Sequence, residues 1–381
     1  MAVELTVAGE ELRKAVEMVS LVGSVAGGKK KGEDEMPGQN VLHIVATSPN
    51  KDKKYLIALG VMNVVEQAEY FLEGKSYTST DNVDVYVELK RFAALARTVS
   101  GDVNFKFSGN EVELCVGTSK YALTTMCASL PFLKMPDGGV ELPARLLEDA
   151  RTHCGIVVPK TDGNVAMTGI QIMIAPDGTA CCWGANRNSA AKLVMPNTGV
   201  KQEYYLLMTP ACMKHVSDFA EGENILIAKE NNAIFASGQR FRYRCNTFVG
   251  KFPDVDKMEA GIKETKRNRV AKSRLLTAII RAGVMAGEDE NSCVKLCSDA
   301  ENLYVEGASV AGVGMEQVAL EGSEGADNDA ICFPADKLSR IISNCQGEEI
   351  TICTNGWNRP VKIAVTGSNS FYVMAPMRPR G

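Results

Sequence analysis

Some stretches of this chain bring together residue types that could do chemistry. Gly23-Ser-Val-Ala-Gly-Gly28-Lys29 has the G-x-x-x-x-G-K spacing of a loop that cradles phosphates. Position 30 is a lysine, however, where a hydroxyl would hold magnesium. The segment also follows a helix pattern and does not join a strand to a helix, so nucleotide binding is not expected. His153 beside Cys154 offers a base and a thiol. Adjacent residues on a helix point about 100° apart, which does not make a nucleophile–base pair. The 12 cysteines and 3 histidines (His43, His153 and His215) could ligate a metal. Yet no Cys-x-x-Cys pair occurs; Cys181 and Cys182 are adjacent, and Cys293 and Cys297 are four apart. Zinc sites need tighter paired spacing, so the cysteines read as reduced, small core residues. No convergent set of carboxylates stands out. The chain is expected to be no enzyme, with no catalytic residue, no metal and no cofactor.

The elements that would carry any site repeat. A short strand leads into an amphipathic helix, several strands follow, then a second helix and a closing strand pair. The spacing predicts first helices near 10–21, 143–154 and 272–285, and second helices near 88–99, 209–220 and 334–345. Their apolar faces follow a 3.6-residue period: Leu12, Ala15, Val16 and Val19; Leu89, Phe92, Ala96 and Val99; Leu146, Leu147 and Ala150; Cys212, Met213, Val216 and Phe219; Leu275, Leu276, Ile279 and Ile280; Leu338, Ile341 and Ile342. Thr209-Pro210 is a cap residue followed by proline at the first helical position. Alternating stretches such as Val103-Asn-Phe-Lys-Phe, Glu111-Val-Glu-Leu-Cys-Val and Val361-Lys-Ile-Ala-Val read as strands, and Lys-Glu-Asn-Asn between Ile225-Leu-Ile-Ala and Ala233-Ile-Phe-Ala reads as a hairpin. Each repeat is long enough to be a domain. The expected fold is α+β: three tandem domains, 1–138, 139–260 and 261–381, each with two helices packed on antiparallel sheet. Tandem domains of one kind suit a curved or ring-like assembly that grips something long.

Composition fits an ordinary globular protein, with 45% hydrophobic and 23% charged residues over 381 positions. No apolar run approaches the roughly 20 residues of a membrane helix, and the N-terminus reads as a strand and not a secretory signal. The expected setting is the cytoplasm, with no membrane partner. The net charge is −4. Lysine and arginine nevertheless outnumber acids over the six predicted helices, so the remainder is more acidic still. An acidic chain that concentrates positive charge on one repeated element suits a polyanion held against those helices.

The order of motifs resembles a known family, the bacterial DNA polymerase III beta subunit or sliding clamp, of which this chain looks like a divergent member. The resemblance runs through Val87-Glu-Leu-Lys-Arg-Phe, Asn104-Phe-Lys-Phe-Ser-Gly-Asn-Glu-Val-Glu-Leu, Ser119-Lys-Tyr-Ala-Leu-Thr-Thr and Leu130-Pro-Phe, then Val140-Glu-Leu-Pro-Ala. Gly250-Lys-Phe-Pro-Asp matches the family's Gly-x-Phe-Pro-Asp closure, and Tyr372-Val-Met-Ala-Pro-Met-Arg is similar to its terminal Tyr-Val-Val-Met-Pro-Met-Arg. The resemblance implies a head-to-tail homodimer closing a ring around double-stranded DNA without reading its sequence. It implies a processivity factor in DNA replication, tethering the replicative DNA polymerase and served by a clamp loader.

Residue by residue, the resemblance implies the following. Tyr121 and Leu123 on an edge strand, with Val284 and Met285 at the end of a helix, match the family's dimer interface. Met167, Gly169, Pro253, Met258, Val373, Met374, Pro376, Met377 and Arg378 match its partner-peptide groove between the second and third domains. Methionines suit a surface that accepts several partners. The other wall departs: the family's Thr-Asp-Gly-His-Arg-Leu aligns with Ala185-Asn186-Arg187-Asn188-Ser189-Ala190, so Asn186 and Asn188 enter the groove and the preferred peptide is expected to differ. DNA-facing candidates are Arg13, Lys14, Lys90, Arg91, Arg145, Lys160, Lys214 and Arg274, with Lys29, Lys30 and Lys31 in the loop Gly27-Gly28-Lys-Lys-Lys-Gly32. The loop from Gly287 is acidic and is not expected to touch phosphate. Two other readings stand beside the clamp: a clamp-like peptide scaffold without DNA encirclement, which basic helices disfavour, and an enzyme on a repeated scaffold, which the lack of a catalytic set disfavours.

Overall fold

The computed structural model describes residues 3–23, 40–47, 57–78, 81–248, 250–287, 292–325 and 330–377. Among them are seven α-helices: α1 (Gly9–Gly23), α2 (Leu89–Ala96), α3 (Ala144–Cys154), α4 (Pro210–Ala220), α5 (Val255–Ala260), α6 (Lys272–Ala286) and α7 (Ala335–Asn344). Six coincide with the predicted repeats to within a few residues at each end. The short α5 has no counterpart in the periodicity. Asp254 caps it by accepting from the Lys257 N–H at 3.1 Å. The chain divides into two compact units, Met1–Arg145 with Ala211–Thr247, and Leu146–Pro210 with Phe248–Gly381.

The first unit holds two antiparallel sheets. One runs in the order Ser76–Tyr77, Val3–Ala8, Asp102–Ser108, Glu111–Val116 and Ser119–Thr124, so the last strand lies at an edge. The other has eight strands, and its middle joins Phe241–Asn246 to Glu66–Leu72, with Phe241 opposite Tyr70 and Cys245 opposite Glu66. Helix α1 lies on Glu66–Leu72 and Ile57–Met62 and against α2. Its Leu12, Ala15, Val16 and Val19 are wholly buried, as their spacing requires. The hairpin from Asn224–Glu230 to Ala233–Ser237 turns on Asn231, whose φ of 53° is the left-handed conformation that asparagine tolerates.

The second unit is built on one twelve-stranded antiparallel order. Within it Ser189–Met195 pairs with Phe371–Met374, Ala190 standing opposite Val373 and Lys192 opposite Phe371. Further along, the long strand Gly312–Gly325 pairs with Asn302–Ser309 over its first part and with Lys266–Ala271 over its last. Helix α6 packs on these strands and on α7. The approach is close: a Cβ on Gly307 would lie 1.8 Å from the Ala282 carbonyl oxygen, so only glycine fits there. The helix closes with Gly287 at φ 84°, its N–H donating to Gly283 O at 3.2 Å.

The apolar faces expected of α2, α3, α4 and α7 are buried. On α6 the expectation fails for one residue and weakens for another. Leu275 and Ile279 are buried and Leu276 is partly so, but Ile280 is 54% exposed. Ile280 falls one turn before Val284 on the helix's outer side, and both are left uncovered.

Two buried polar groups in the first unit are tied to backbone. Glu69, on the Glu66–Leu72 strand, accepts the Leu133 N–H at 2.5 Å, and its neighbour Gln67 donates to the Pro131 carbonyl at 2.6 Å. Both hold the 131–133 segment on the sheet. Burial raises the Glu69 carboxyl to about 7 from its ordinary 4.5, against the opposing pull of the Leu133 N–H and of Arg242, 4.0 Å away. Between those two pH values the folded state binds a proton that the unfolded chain has lost. Stability therefore falls as pH rises through this window, and the loss is complete above 7. Glu69→Gln keeps an acceptor for Leu133 and removes the titration. In urea denaturation it should gain on the parent protein at pH 8 and show no such gain at pH 4.5.

Candidate functional site

The sequence places candidates in three settings, and the structure treats each differently. The expected groove residues fall in the second unit, around the Ser189–Met195/Phe371–Met374 pair. Successive strand residues point to opposite faces. Phe371 and Val373 therefore share a face with Trp183, Ala185 and Ala190, and these five pack with Phe252, Val255 and Leu207. Met167, Phe248 and Ile262 lie on the margin of this cluster. Trp183 and Phe371 meet edge to face, with centroids 5.7 Å apart.

An open cavity of about 720 Å³ lies on this face, lined by Trp183, Ala190, Met258, Ile262, Phe371 and Val373 among others. Lys192 Nζ sits 5.2 Å from the Trp183 ring centre, and Lys362 Nζ 4.7 Å from that of Phe371. Each lysine is ion-paired, Lys192 to Glu259 at 2.5 Å and Lys362 to Glu264 at 3.0 Å. Burial opposes ionisation of Glu264, but the bonds from Lys362 and Arg267 win and hold its carboxyl below the usual range.

Of the expected groove residues, Met258 and Val373 line this cavity, and Met167 packs against the adjoining core cluster. Gly169 has no room for a side chain, since a Cβ would meet Phe248 at 2.8 Å and Leu207 at 2.9 Å. Pro253 is partly exposed. Met374 points the other way and is 2% exposed, so it belongs to the core behind the sheet. Pro376 and Met377 are half-buried, and the Met377 N–H donates to Cys332 O at 2.8 Å. Arg378 lies outside the described residues.

Asn186 and Asn188 sit in the turn that precedes Ser189. Asn186 Oδ1 accepts from the N–H groups of Asn188 and Ser189, both at 2.8 Å, and its amide donates to Val157 O at 2.6 Å. The two asparagines line a separate cavity of about 620 Å³ with Asp162, Arg187, Lys337 and Arg340. They are thus not on the wall that carries Met258 and Val373.

Behind the sheet, His153 and Cys154 have other duties. The Tyr372 hydroxyl lies 3.0 Å from His153 Nδ1, and the Cys154 thiol points at the Cys182 and Ala191 carbonyls. Burial lowers the His153 imidazole to about 4 and pushes the Cys154 thiol far up. A neutral, spent imidazole and an un-ionised thiol make no nucleophile–base pair.

The edge residues separate into exposed and buried. In the first unit Tyr121 is 41% exposed on the edge strand Ser119–Thr124, whereas Leu123 on the same strand is buried. In the second unit Val284 is 76% exposed and Met285 is partly so. Met285 packs over Gly314, where a Cβ would lie 2.7 Å from its Cγ. Sequence reasoning missed the adjoining strand. Val313 and Met315 are 65% and 63% exposed, and among the described residues Gly312–Ala319 pairs on one side only. The signal was present in Gly312-Val-Gly-Met315, where side chains alternate with glycines that admit a neighbour.

The basic candidates are unequal. Arg13 is tied down, its Nη2 donating to Val99 O at 2.9 Å. Lys14 pairs with Glu221 at 2.7 Å, Lys214 with Asp218 at 2.5 Å and Arg91 with Glu88 at 3.3 Å. Lys90, Arg145, Lys160 and Arg274 are exposed. Lys29, Lys30 and Lys31 lie outside the described residues. Among the described residues no group of His, Cys, Asp or Glu could hold a metal, and no helix is long and apolar enough to cross a membrane.

No protein-family model matches this chain, and no curated protein sequence does. Solved structures do. The chain is similar to the DNA polymerase sliding clamp of Bacillus subtilis, with TM-score 0.88 and 16% identity over the whole of both chains. It is similar to the DNA polymerase III beta chain of Streptococcus pneumoniae, with TM-score 0.87 and 15% identity over both whole chains. For the beta subunit of Thermotoga maritima the values are 0.84 and 14%, covering 99% of this chain and 100% of that one. Identities at this level speak for architecture, and on that ground the chain has the α+β fold of the bacterial DNA polymerase III beta subunit, the sliding clamp.

Proposed function

We propose that the chain is a DNA sliding clamp. Its three repeats, 1–138, 139–260 and 261–381, form half of a ring, and two copies close head to tail around duplex DNA. The ring holds the replicative polymerase and other partners through peptides bound on the Trp183/Phe371 face, and a clamp loader opens it. It works in the cytoplasm and performs no chemistry itself.

The observation that carries this reading is a pair of open strand edges in a chain with this fold. Ser119–Thr124 ends one sheet with Tyr121 outward, and among the described residues Gly312–Ala319 lacks a partner on one side, beside exposed Val284, Val313 and Met315. Unpaired edges with apolar side chains are ready templates for another chain. Pairing the first edge of one copy with the second edge of another is heterologous, and such contacts build rings when the rotation closes. Burying one such aliphatic side chain is worth about 1.5–3 kcal/mol.

Val284→Asp with Met315→Asp should therefore convert the dimer to monomer in light scattering, while Val64→Asp, at an exposed site elsewhere, should leave the mass unchanged. A dimer that survives the double change would remove this interface from the reading.

The scaffold reading retains one supporting observation: Arg13, Lys14, Arg91 and Lys214 already have partners, which reduces the charge left for phosphate. Salt decides between the two. A ring closed on circular DNA should stay bound at salt that strips it from linear DNA, because leaving requires an interface to open. Any direct affinity should be sequence-blind, and each phosphate contact removed, for instance by Arg274→Glu, should flatten the log–log salt slope by roughly 0.9. Equal loss from circular and linear DNA as salt rises would favour the scaffold.

A further inference from the structure

We propose that the groove of this chain selects acidic partners, with an apolar anchor flanked by carboxylates. The inference rests on the groove reading above and adds the charge class of the peptide. The floor of the cavity is charge-balanced, since Lys192 and Lys362 lie over the aromatic rings and are neutralised by Glu259 and Glu264. The rim is not balanced. Lys257, Lys263 and Arg359 all line the cavity and all are exposed. Lys257 has Asp254 at 2.9 Å, but among the described residues no carboxylate lies within ion-pair distance of Lys263 or Arg359.

This local excess of positive charge occurs on a chain whose net charge is −4, so it is not a by-product of a basic surface. Exposed cations cost little while the groove is empty. When an anchor fills a cavity of about 720 Å³ and expels water, their attraction for a neighbouring carboxylate strengthens.

The probes are three fluorescein-labelled hexapeptides, Gly-Asp-Leu-Phe-Asp-Gly and its counterparts with Asn or Lys in place of both Asp, measured by anisotropy against the full chain. At about 50 mM salt the Asp peptide should bind about five-fold more tightly than the Asn peptide, and the Lys peptide more weakly still. The difference should shrink at about 500 mM. Lys263→Glu with Arg359→Glu, both at exposed positions, should reverse the order without changing the circular dichroism spectrum. Met258→Asp should abolish binding of all three and so place them in the groove.

Equal binding of the Asp and Asn peptides at low salt, or an acid preference that persists in the double variant, would overturn the selectivity and leave the groove reading standing. Binding that ignores Met258→Asp would put the peptides elsewhere and overturn it too. If no peptide binds at all, the groove reading falls and takes the inference with it.

Discussion

Two strand pairs carry this chain from one repeat to the next: Phe241–Asn246 on Glu66–Leu72, and Ser189–Met195 on Phe371–Met374. Each is antiparallel, and each gives the boundary strand of one repeat a partner from another. A buried backbone N–H or C=O must be paired, so these joints turn what would be separate small sheets into long continuous ones. The same rule has a consequence at the ends. Among the described residues, Ser119–Thr124 and the first part of Gly312–Gly325 are among the strands that keep an unfilled side. Under the proposed reading, closing the ring repeats between chains the contact that the chain already makes within itself.

The second joint also builds the apolar face proposed as the groove. Because strand side chains alternate, the terminal segment divides its residues between two tasks. Phe371 and Val373 face Trp183 and Ala190 and form the apolar floor. Tyr372 and Met374 face inward, where the Tyr372 hydroxyl meets His153 and accepts from the Asn344 amide at 2.8 Å. A substitution that loosens Tyr372 would thus tilt the floor from behind without touching a ligand. Removing residues from Met374 onward would strip core and strand pairing together, so loss of binding in such a truncation would not by itself locate the peptide.

The helices were legible because a stripe of aliphatic residues at a 3.6-residue period is what a helix with one covered side requires; Leu12, Phe92, Leu147, Val216, Leu275 and Ile342 are all buried. What periodicity cannot distinguish is a stripe facing the core from one facing a partner. Ile280 fits the α6 pattern as well as Ile279 does, yet only the latter is covered. Val313 and Met315 escaped notice for the opposite reason, since Gly312 and Gly314, which alternate with them, leave no apolar inner face to complete the alternation. The short α5 is brief and polar, and its order comes from the Asp254 cap and from Val255 in the core cluster, neither of which leaves a period. Asn186 and Asn188 aligned with a groove wall, but the turn they form directs them to another cavity.

Charge was legible only as a total. Basic residues were countable from the helices, but their availability depends on neighbours far apart in sequence: Lys14 finds Glu221, and Arg240 reaches Glu11. Such exposed pairs contribute little to stability. They do quench the outward field, because a paired lysine presents a dipole instead of a charge, and the dipole's reach is shorter still once salt screens it over about 8 Å. A protein that relied on affinity to stay on DNA would be poorly served by this arrangement. One that stays by closure needs only enough unpaired cations, such as Lys90 and Arg274, to keep a net-acidic chain from repelling its track, and gains from having no more. Under the proposed reading, strong phosphate contacts would hold the ring in place, and a tether that must travel with a polymerase has to slide.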